Sequence, residues 1–342
     1  MTISTADIGK QVKAFCAKIG ADPLLVQGAG GNVSWKEGNA LWVKASGTWL
    51  AEAELNEIFI PVNLSLLESA LMEQNFFVNP EVTGNSSLRP SIETLLHALM
   101  PHKVVAHLHA VEILAHLVQA NAMQKIKSLL GDDLKWVYVD YCKPGADLAR
   151  AVSEKLTSKN DVDIVFLGNH GIVIGGRDVD EIVATLHMLI FKMESKTSAS
   201  LFEYGGSSRE SDFLVRGYVA CVDKEVSSIA IKDELFNRLR HEWAIYPDHV
   251  VFLGAKAFIL EKNFNSLELD KIARIKPPFI FAHGDGVYEN LSATPAQKSQ
   301  LRCYFDVIAR QIVADKLLTL TDQQVTELLD WDAEKFRQNS ST

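Results

Sequence analysis

Short β-branched runs alternate with amphipathic stretches over the first 203 residues of the chain. A stretch with helical periodicity follows each of three such runs. These runs are 104–109 (VVAHLH), 134–141 (LKWVYVDY) and 161–176 (DVDIVFLGNHGIVIGG). A strand that is regularly followed by a helix is typical of an α/β layered domain with a central β-sheet. We therefore expect residues 1–203 to form one such domain.

Turn and capping residues predict individual elements inside this domain. Thr5 is a candidate N-cap for a first helix that ends near residue 19. The turn signal at 37–39 (EGN) predicts a β-hairpin. Two prolines bracket a short helix over 90–101, and a long amphipathic helix is predicted over 178–202.

A polar stretch at 203–212 (EYGGSSRESD) reads as a linker to the remaining chain. Residues 204–342 are expected to form a smaller α+β extension or a small domain. There the sequence predicts helices near 232–243 and 294–314, and strands at 249–254 (HVVFLG) and 277–284 (PPFIFAHG).

Composition excludes several classes of partner. The net charge is −9, so neither nucleic acid nor an acidic membrane is an expected partner. The four cysteines are widely spaced and form no CxxC motif, which is typical of reduced thiols. The first residues do not resemble a signal peptide, and no apolar run reaches the ~18–20 residues of a membrane span. We expect a cytoplasmic protein.

Two histidines, His107 and His109, stand one residue apart inside an apolar run. On a strand, residues i and i+2 point to the same face, so the two imidazoles would lie side by side, roughly 7 Å apart at their backbones. Both rings could then reach one metal ion at about 2.0–2.1 Å. The alternative is structural: one histidine is buried and hydrogen-bonded, and the other faces solvent.

Two further residues would complete a metal site. His170 stands in a glycine-flanked turn (LGNHG) between two apolar strands, where a side chain can point inward at the edge of a sheet. Glu93 lies in an otherwise apolar segment, where a carboxylate costs free energy unless it has a partner. Three histidines and one carboxylate match a zinc site of the open, catalytic kind. His170 could instead be an ordinary turn histidine.

Two loops combine glycine with small hydroxyl residues: 28–34 (GAGGNVS) and 44–48 (KASGT). Exposed backbone N–H groups and hydroxyls at such turns suit an anionic oxygen cluster such as a phosphate. Neither loop matches a P-loop or a dinucleotide fingerprint. Simple hairpin turns are the alternative.

Six motifs in order resemble the class II aldolase/adducin family, over roughly residues 8–200: GGNVS, SGT, RPSIETLLH, VVAHLHAVEIL, YCKPGADLA and GNHGIVIGGRDVDEI. The resemblance is strongest to the aldolase part of bifunctional rhamnulose-1-phosphate aldolase/alcohol dehydrogenase proteins, through WVKASGT, PSIETLLHAL and HLHAVEILA. The dehydrogenase half and its GxGxxG motif are absent from this sequence. The family fold is a layered α/β/α domain, and residues 205–342 resemble the connecting region of the bifunctional proteins only weakly.

The resemblance implies roles for particular residues. A Zn²⁺ ion would be held by His107, His109 and His170, with Glu93 as a resting-state ligand and as the acid/base in turnover. Tyr141 is a candidate proton donor to the leaving aldehyde, or else a half-buried strand residue. The substrate phosphate would be bound by Gly31, Asn32, Ser46, Gly47 and Ser91.

The implied reaction cleaves or forms a carbon–carbon bond in a ketose 1-phosphate through an enediolate, with dihydroxyacetone phosphate and an aldehyde as the products of cleavage. A sugar-phosphate 4-epimerase, a dehydratase and a non-catalytic adducin-like scaffold share the fold and remain alternatives. Family aldolases usually carry Ser-Ser-Glu where this chain has Ser-Ile92-Glu, so a non-phosphorylated substrate also stays open. The family further implies a homo-tetramer.

Three other histidines and the C-terminal segment have alternative interpretations. His97 lies four residues after Glu93, so it is either a partner of the site or a structural residue. His249 and His283 are expected to be ordinary loop histidines rather than lid residues. The C-terminal segment could also be a separate binding module for a partner protein.

Overall fold

The computed structural model describes residues 5–159, 161–195 and 209–340, which form eleven strands and fifteen α-helices. The strands are β1 Asn32–Glu37, β2 Ala40–Lys44, β3 Phe59–Asn63, β4 Val104–Leu108, β5 Trp136–Val139, β6 Ile164–Leu167, β7 Gly171–Gly176, β8 Tyr218–Ala220, β9 Ile259–Leu260, β10 Phe279–Ala282 and β11 Gly286–Asn290.

The helices are α1 Thr5–Gly20, α2 Leu64–Met72, α3 Thr94–Leu99, α4 Val111–Leu117, α5 Ala122–Leu130, α6 Ala146–Ser158, α7 Val179–Met193, α8 Glu210–Leu214, α9 Lys224–Ile231, α10 Asp233–His241, α11 Pro247–Leu253, α12 Ser266–Ile275, α13 Pro295–Ile308, α14 Asp322–Leu329 and α15 Asp332–Ser340. None of the helices described is both long and apolar enough to cross a membrane.

A seven-stranded sheet with the order β3-β2-β1-β4-β7-β6-β5 forms the centre of the fold. Its neighbours are antiparallel except β5 and β6, which are parallel and joined through α6. The predicted hairpin is present, because β1 and β2 pair on either side of the turn at Gly38, whose φ is +57°. The sequence-based prediction of an α/β layered domain is therefore confirmed.

Alternate residues of the central strands enter two different cores. On β4, Ala106 and Leu108 pack with α1, α4 and α7, while Val105 packs with α3 and α6 on the opposite face. Because both faces are covered, the strands are apolar throughout rather than alternating. His107 has the same parity as Val105, so it points to the face that α3 covers.

The C-terminal extension, defined here as residues 209–340, carries a second sheet of order β8-β11-β10-β9. Its helices share one buried apolar cluster with the first domain, which joins Val12 and Leu108 to Tyr304 and Leu328. Polar contacts also cross this boundary, including the ion pair of Arg310 Nε with Glu112 Oε1 at 2.7 Å. The predicted boundary near residue 203 lies outside the described residues.

Several local predictions differ from the structure. The run at 249–254, predicted as a strand, belongs to helix α11, since Pro247 starts a helix at its first position and the buried apolar run carries no periodicity of its own. The predicted linker to residue 212 overlaps α8. The long amphipathic helix predicted over 178–202 ends at Met193, with the non-helical Glu194 as its C-cap, and residues 196–202 lie outside the described residues. Glu93 precedes α3 as its N-cap residue instead of lying inside it.

Candidate metal centre

The three predicted histidine ligands converge at one end of the central sheet. His107 is on β4 between Asn32 of β1 and Val173 of β7, and His109 follows directly after the strand. His170 reaches the same place from the turn between β6 and β7. All three side chains are buried, and their ligand atoms lie within 4.8 Å of one another.

Small residues allow this close approach. A Cβ at Gly171 would lie 2.5 Å from the Leu108 carbonyl oxygen and 3.0 Å from a ring carbon of His109. The glycine after His170 is therefore required by the packing of β7 against the histidine-bearing strand. The turn itself is held by Asn169, whose φ is +52° and whose side-chain amide donates to the carbonyls of Ile245 and Leu318 at 2.9 and 2.8 Å.

Hydrogen-bond partners assign the proton on two of the rings. His107 Nδ1 donates to the Ile172 carbonyl at 3.1 Å, which leaves a lone pair on Nε2. His109 Nδ1 faces Asp248 Oδ2 at 3.4 Å, which likewise leaves a lone pair on Nε2. The two Nε2 atoms are only 3.2 Å apart. Two lone pairs this close repel each other unless a cation lies between them, so the donor set fits a divalent metal.

Glu93 adds a carboxylate to the imidazoles. Its oxygens lie 3.4 Å from His107 Nε2 and 3.3 Å from His170 Nε2. Among the described residues, Glu93 Oε1 has no hydrogen-bond partner although it is fully buried. A buried carboxylate oxygen without a donor is costly, so it is another observation that fits a bound metal ion.

A chain of hydrogen bonds holds Glu93 in place. Ser34 Oγ donates to His97 Nδ1 at 2.7 Å, His97 Nε2 donates to Asn32 Oδ1, and Asn32 Nδ2 donates to Glu93 Oε2 at 2.8 Å. His97 is therefore a partner of the site through Asn32. Both polar atoms of the Asn32 amide thus have a partner: its nitrogen donates to Glu93, and its oxygen accepts from His97.

Burial sets the charge of these groups. It lowers the pKa of His107, and it lowers the pKa of both His170 and His97 to about 3, so the three rings are neutral at pH 7. Burial also raises the pKa of Glu93, but His107, His170 and the hydrogen bond from Asn32 outweigh it and hold that pKa at about 2. Neutral imidazoles and an ionised carboxylate are the forms that bind metals.

A small cavity opens beside these side chains. It is lined by Glu93, His109 and His170 together with all five residues predicted to bind phosphate, which are Gly31, Asn32, Ser46, Gly47 and Ser91. It has about 20 Å³ of space for solvent, which is room for about one water molecule. The two glycine loops, which are far from the histidines in sequence, thus lie beside them in the structure.

The C-terminal extension forms the opposite wall of this cavity. Asp248 of α11 and both Glu334 and Arg337 of α15 line it. Arg337 pairs with Asp248 and, through Nε, with Glu334 Oε2 at 2.6 Å. Helix α15 also packs on the loop at 44–48, since a Cβ at Gly47 would lie 2.5 Å from Ser340 Cβ.

Lys44, the last residue of β2 in the first domain, is a buried amine that also lines the cavity. It is 2% exposed, and its Nζ donates to the carbonyls of Ala29 at 3.1 Å and Thr48 at 2.6 Å. Burial, with a contribution from the charge of Arg337, lowers its pKa from 10.5 to about 7. The carbonyl acceptors orient the amine, but no carboxylate binds it directly among the described residues.

The pKa of Lys44 predicts a pH dependence of stability. Between about pH 7 and pH 10.5, the unfolded chain holds a proton on Lys44 that the folded chain has lost. Stability therefore rises with pH by up to about 1.4 kcal/mol per unit in this window. We expect Lys44→Met to remove that rise, measured by urea denaturation at pH 7 and pH 9.5, with Lys13→Met at a more exposed position as the control. Parallel pH profiles for wild type and Lys44→Met would contradict this assignment.

The other predicted residues lie elsewhere. Tyr141 does not line the cavity; its hydroxyl is buried without a hydrogen-bond partner among the described residues, and burial raises its pKa. His249 lies in the core, with its ring against Trp243, and His283 pairs with Asp233 at 3.0 Å.

Sequence reasoning missed four charged residues of this site: Lys44, Asp248, Glu334 and Arg337. Lys44 is the first residue of the recognised loop at 44–48, and a lysine at the end of an apolar strand (ALWVK) could have indicated a functional position. Asp248, Glu334 and Arg337 come from the C-terminal segment, which resembles the connecting region of the bifunctional proteins only weakly and for which no site residue was predicted. Their positions depend on how the extension folds back on the first domain.

The sequence also matches known proteins. The family model described as "Class II Aldolase and Adducin N-terminal domain" matches residues 10–195. The chain is 28% identical over 180 residues to "L-fuculose phosphate aldolase" of Methanocaldococcus jannaschii. That alignment covers 50% of this chain and 84% of that protein. The chain is also 28% identical over 174 residues to "Uncharacterized oxidoreductase YuxG" of Bacillus subtilis (strain 168), which covers 46% of this chain. The chain spans a quarter of the length of YuxG.

Among solved structures, the N-terminal class II aldolase domain of a conserved protein from Thermoplasma acidophilum aligns with 57% of this chain and 95% of that chain, with 26% identity and a TM-score of 0.48.

Proposed function

The chain belongs to the class II aldolase and adducin family, and from this premise we propose that it is a zinc-dependent aldolase that cleaves or forms a carbon–carbon bond in a ketose 1-phosphate. The observation that carries this proposal is the convergence of three buried imidazoles and one ionised carboxylate on one point. A non-catalytic scaffold needs no such set, because buried polar groups without a function only cost stability.

His107, His109 and His170 would hold the metal ion, with Glu93 beside it. Nitrogen-rich ligation favours Zn²⁺ over the harder divalent ions. When bound, a divalent ion supplies Lewis-acid chemistry, since it polarises the oxygens of a ketone substrate and stabilises negative charge that develops on them.

Glu93 would move the proton. It is ionised, it is held by the Asn32 amide on one oxygen, and its other oxygen has no hydrogen-bond partner within the described part of the chain. A carboxylate in this state can accept a proton from a substrate carbon or hydroxyl within hydrogen-bond reach. Tyr141 remains a candidate donor to the leaving aldehyde, a role that requires its hydroxyl to face the substrate.

The two glycine loops would bind the phosphate of the substrate. Gly31, Ser46, Gly47 and Ser91 line the same cavity as the histidines, and the buried Lys44 adds a cation when it is protonated. Backbone N–H groups, hydroxyls and a lysine are the groups that bind phosphate in proteins. The relative from M. jannaschii, which is named as a fuculose phosphate aldolase, is consistent with a substrate of this class.

Retro-aldol activity tests this proposal directly. Metal-loaded protein would be incubated with L-fuculose 1-phosphate, L-rhamnulose 1-phosphate and the same sugars without phosphate, and dihydroxyacetone phosphate or dihydroxyacetone would be measured. We expect release from a phosphorylated sugar that a chelator stops and that added Zn²⁺ restores. Release from the unphosphorylated sugars alone would contradict the phosphate site.

Zinc-loaded protein that releases no product from any of these sugars would contradict the aldolase assignment. A 4-epimerase or a dehydratase would then be tested, because those reactions use the same fold. The expected homo-tetramer would be tested by light scattering coupled to size-exclusion chromatography.

We propose that helix α15 moves when substrate binds, because its Glu334 and Arg337 line a cavity that is small compared with a sugar phosphate. We expect dihydroxyacetone phosphate to raise amide hydrogen exchange in 332–340, while exchange in α13 stays unchanged. Exchange that stays constant in both helices, although calorimetry shows binding, would contradict this movement.

A further inference from the structure

Asp248 of the C-terminal extension contacts the metal-ligand candidate His109. Its Oδ2 atom lies 3.4 Å from His109 Nδ1, and both side chains are buried, with Asp248 at 3% exposure. Within the described part of the chain, the three histidines and Glu93 come from the first domain. Asp248 is thus a residue of the extension that contacts a candidate metal ligand of the first domain, His109.

The contact determines which nitrogen of His109 carries the proton. A carboxylate oxygen can only accept, so the proton lies on Nδ1 and the lone pair lies on Nε2. That lone pair faces His107 Nε2 at 3.2 Å, where the metal ion would lie. A carboxylate behind a metal-bound histidine holds the ring in its ligating tautomer and makes the ligand nitrogen more basic.

Asp248 is itself held in place from two sides. Arg337 of α15 pairs with Oδ1, and Gln300 Nε2 of α13 donates to Oδ2 at 3.4 Å. Arg337 is in turn paired with Glu334. Three helices of the extension therefore cooperate to present one carboxylate oxygen to His109.

Gly30 leaves the space in which Asp248 and His109 meet. A Cβ at this position would lie 2.7 Å from Asp248 Oδ2 and 3.1 Å from His109 Nδ1. Any larger residue would push between the two side chains. The glycine of the GAGGN loop that lies nearest this pair is therefore explained by the contact and not by phosphate binding.

From these contacts we propose that Asp248 is a positioning residue for the metal centre, which sets the tautomer and orientation of His109 while Arg337 holds it. This inference rests on the proposed metal site. It assigns the extension a role in metal binding, in place of the separate binding module that the sequence left open.

Metal affinity of the full-length protein tests the proposal without an activity assay. Zn²⁺ binding would be measured by competition with a chromophoric chelator, and the visible absorption of bound Co²⁺ would report the ligand geometry. We expect Asp248→Asn and Gly30→Ala each to weaken Zn²⁺ binding by about 10- to 100-fold and to shift the Co²⁺ bands. Gly30→Ala disturbs the contact while both side chains remain, so it keeps the test valid if Asp248→Asn folds poorly.

Asp306→Asn is the matched control. Asp306 is also a buried carboxylate on the extension, and it pairs with Arg302 at 2.8 Å, away from the histidines. We expect this variant to lose stability but to keep wild-type affinity and the wild-type Co²⁺ spectrum. Wild-type affinity and a wild-type spectrum in both Asp248→Asn and Gly30→Ala would overturn the proposed role of Asp248 and leave the metal centre itself standing. Wild-type protein that binds neither ion would overturn the metal centre, and this proposal with it.

Discussion

Replacing His107 with alanine is expected to abolish metal binding and, with it, aldolase activity. The ring is fully buried, its Nδ1 is bonded to the Ile172 carbonyl, and its Nε2 faces both His109 and Glu93. Loss of a residue that hydrogen-bonds a metal-bound histidine costs about 10- to 100-fold in metal affinity, so loss of a direct ligand should cost at least about 100-fold. The measurements are metal content after dialysis, by mass spectrometry, and the rate of dihydroxyacetone phosphate release.

His116→Ala is the matched control for the loss of a buried imidazole. His116 is 6% exposed and bonds the Met193 carbonyl at 2.9 Å, away from the cavity. Both variants should lose stability from the cavity that a truncated side chain leaves, by about 2–5 kcal/mol. We expect only His107→Ala to lose metal. A His107→Ala protein with full metal content and full activity would overturn the ligand assignment.

Replacing Glu93 with glutamine should separate metal binding from chemistry. Glutamine has nearly the same shape and can still bond the Asn32 amide, while the three imidazoles remain to hold the ion. It cannot accept a proton at neutral pH, however. We therefore expect turnover at saturating metal to fall by roughly 10²–10⁴-fold, the usual contribution of a positioned acid or base.

The comparison with Asp248→Asn makes this result specific. Excess Zn²⁺ should restore the activity of Asp248→Asn, since its defect is in metal affinity, and it should not restore Glu93→Gln. The experiment is a titration of the cleavage rate with Zn²⁺ for both variants. A Glu93→Gln protein that regains wild-type turnover in excess Zn²⁺ would show that Glu93 acts only as a ligand.

The sequence alone predicts that the two histidines of the HxH motif point to the same side, because residues i and i+2 of a strand share a face. We expect His107 and His109 to share one face of a strand; His109 lies one residue beyond the end of β4, and the two Nε2 atoms are 3.2 Å apart. The hairpin between β1 and β2 likewise depends on a local turn signal, and the first helix, which begins at Thr5 itself, on apolar residues at helical spacing. The order of the family motifs placed His170 and the two glycine loops in the same site, as expectations from resemblance.

Tertiary structure alone decided what lies around these residues. The run at 249–254 is apolar on every side, so its sequence carries no period that separates a buried strand from a buried helix, and packing selects the helix. Asn32, expected at the phosphate, has its amide bonded to Glu93 and His97, residues more than sixty positions away. Asp248 and Arg337 reach the histidines only because the extension packs onto the first domain through a shared apolar core. Local propensity depends on adjacent residues, whereas such contacts depend on the path of the whole chain.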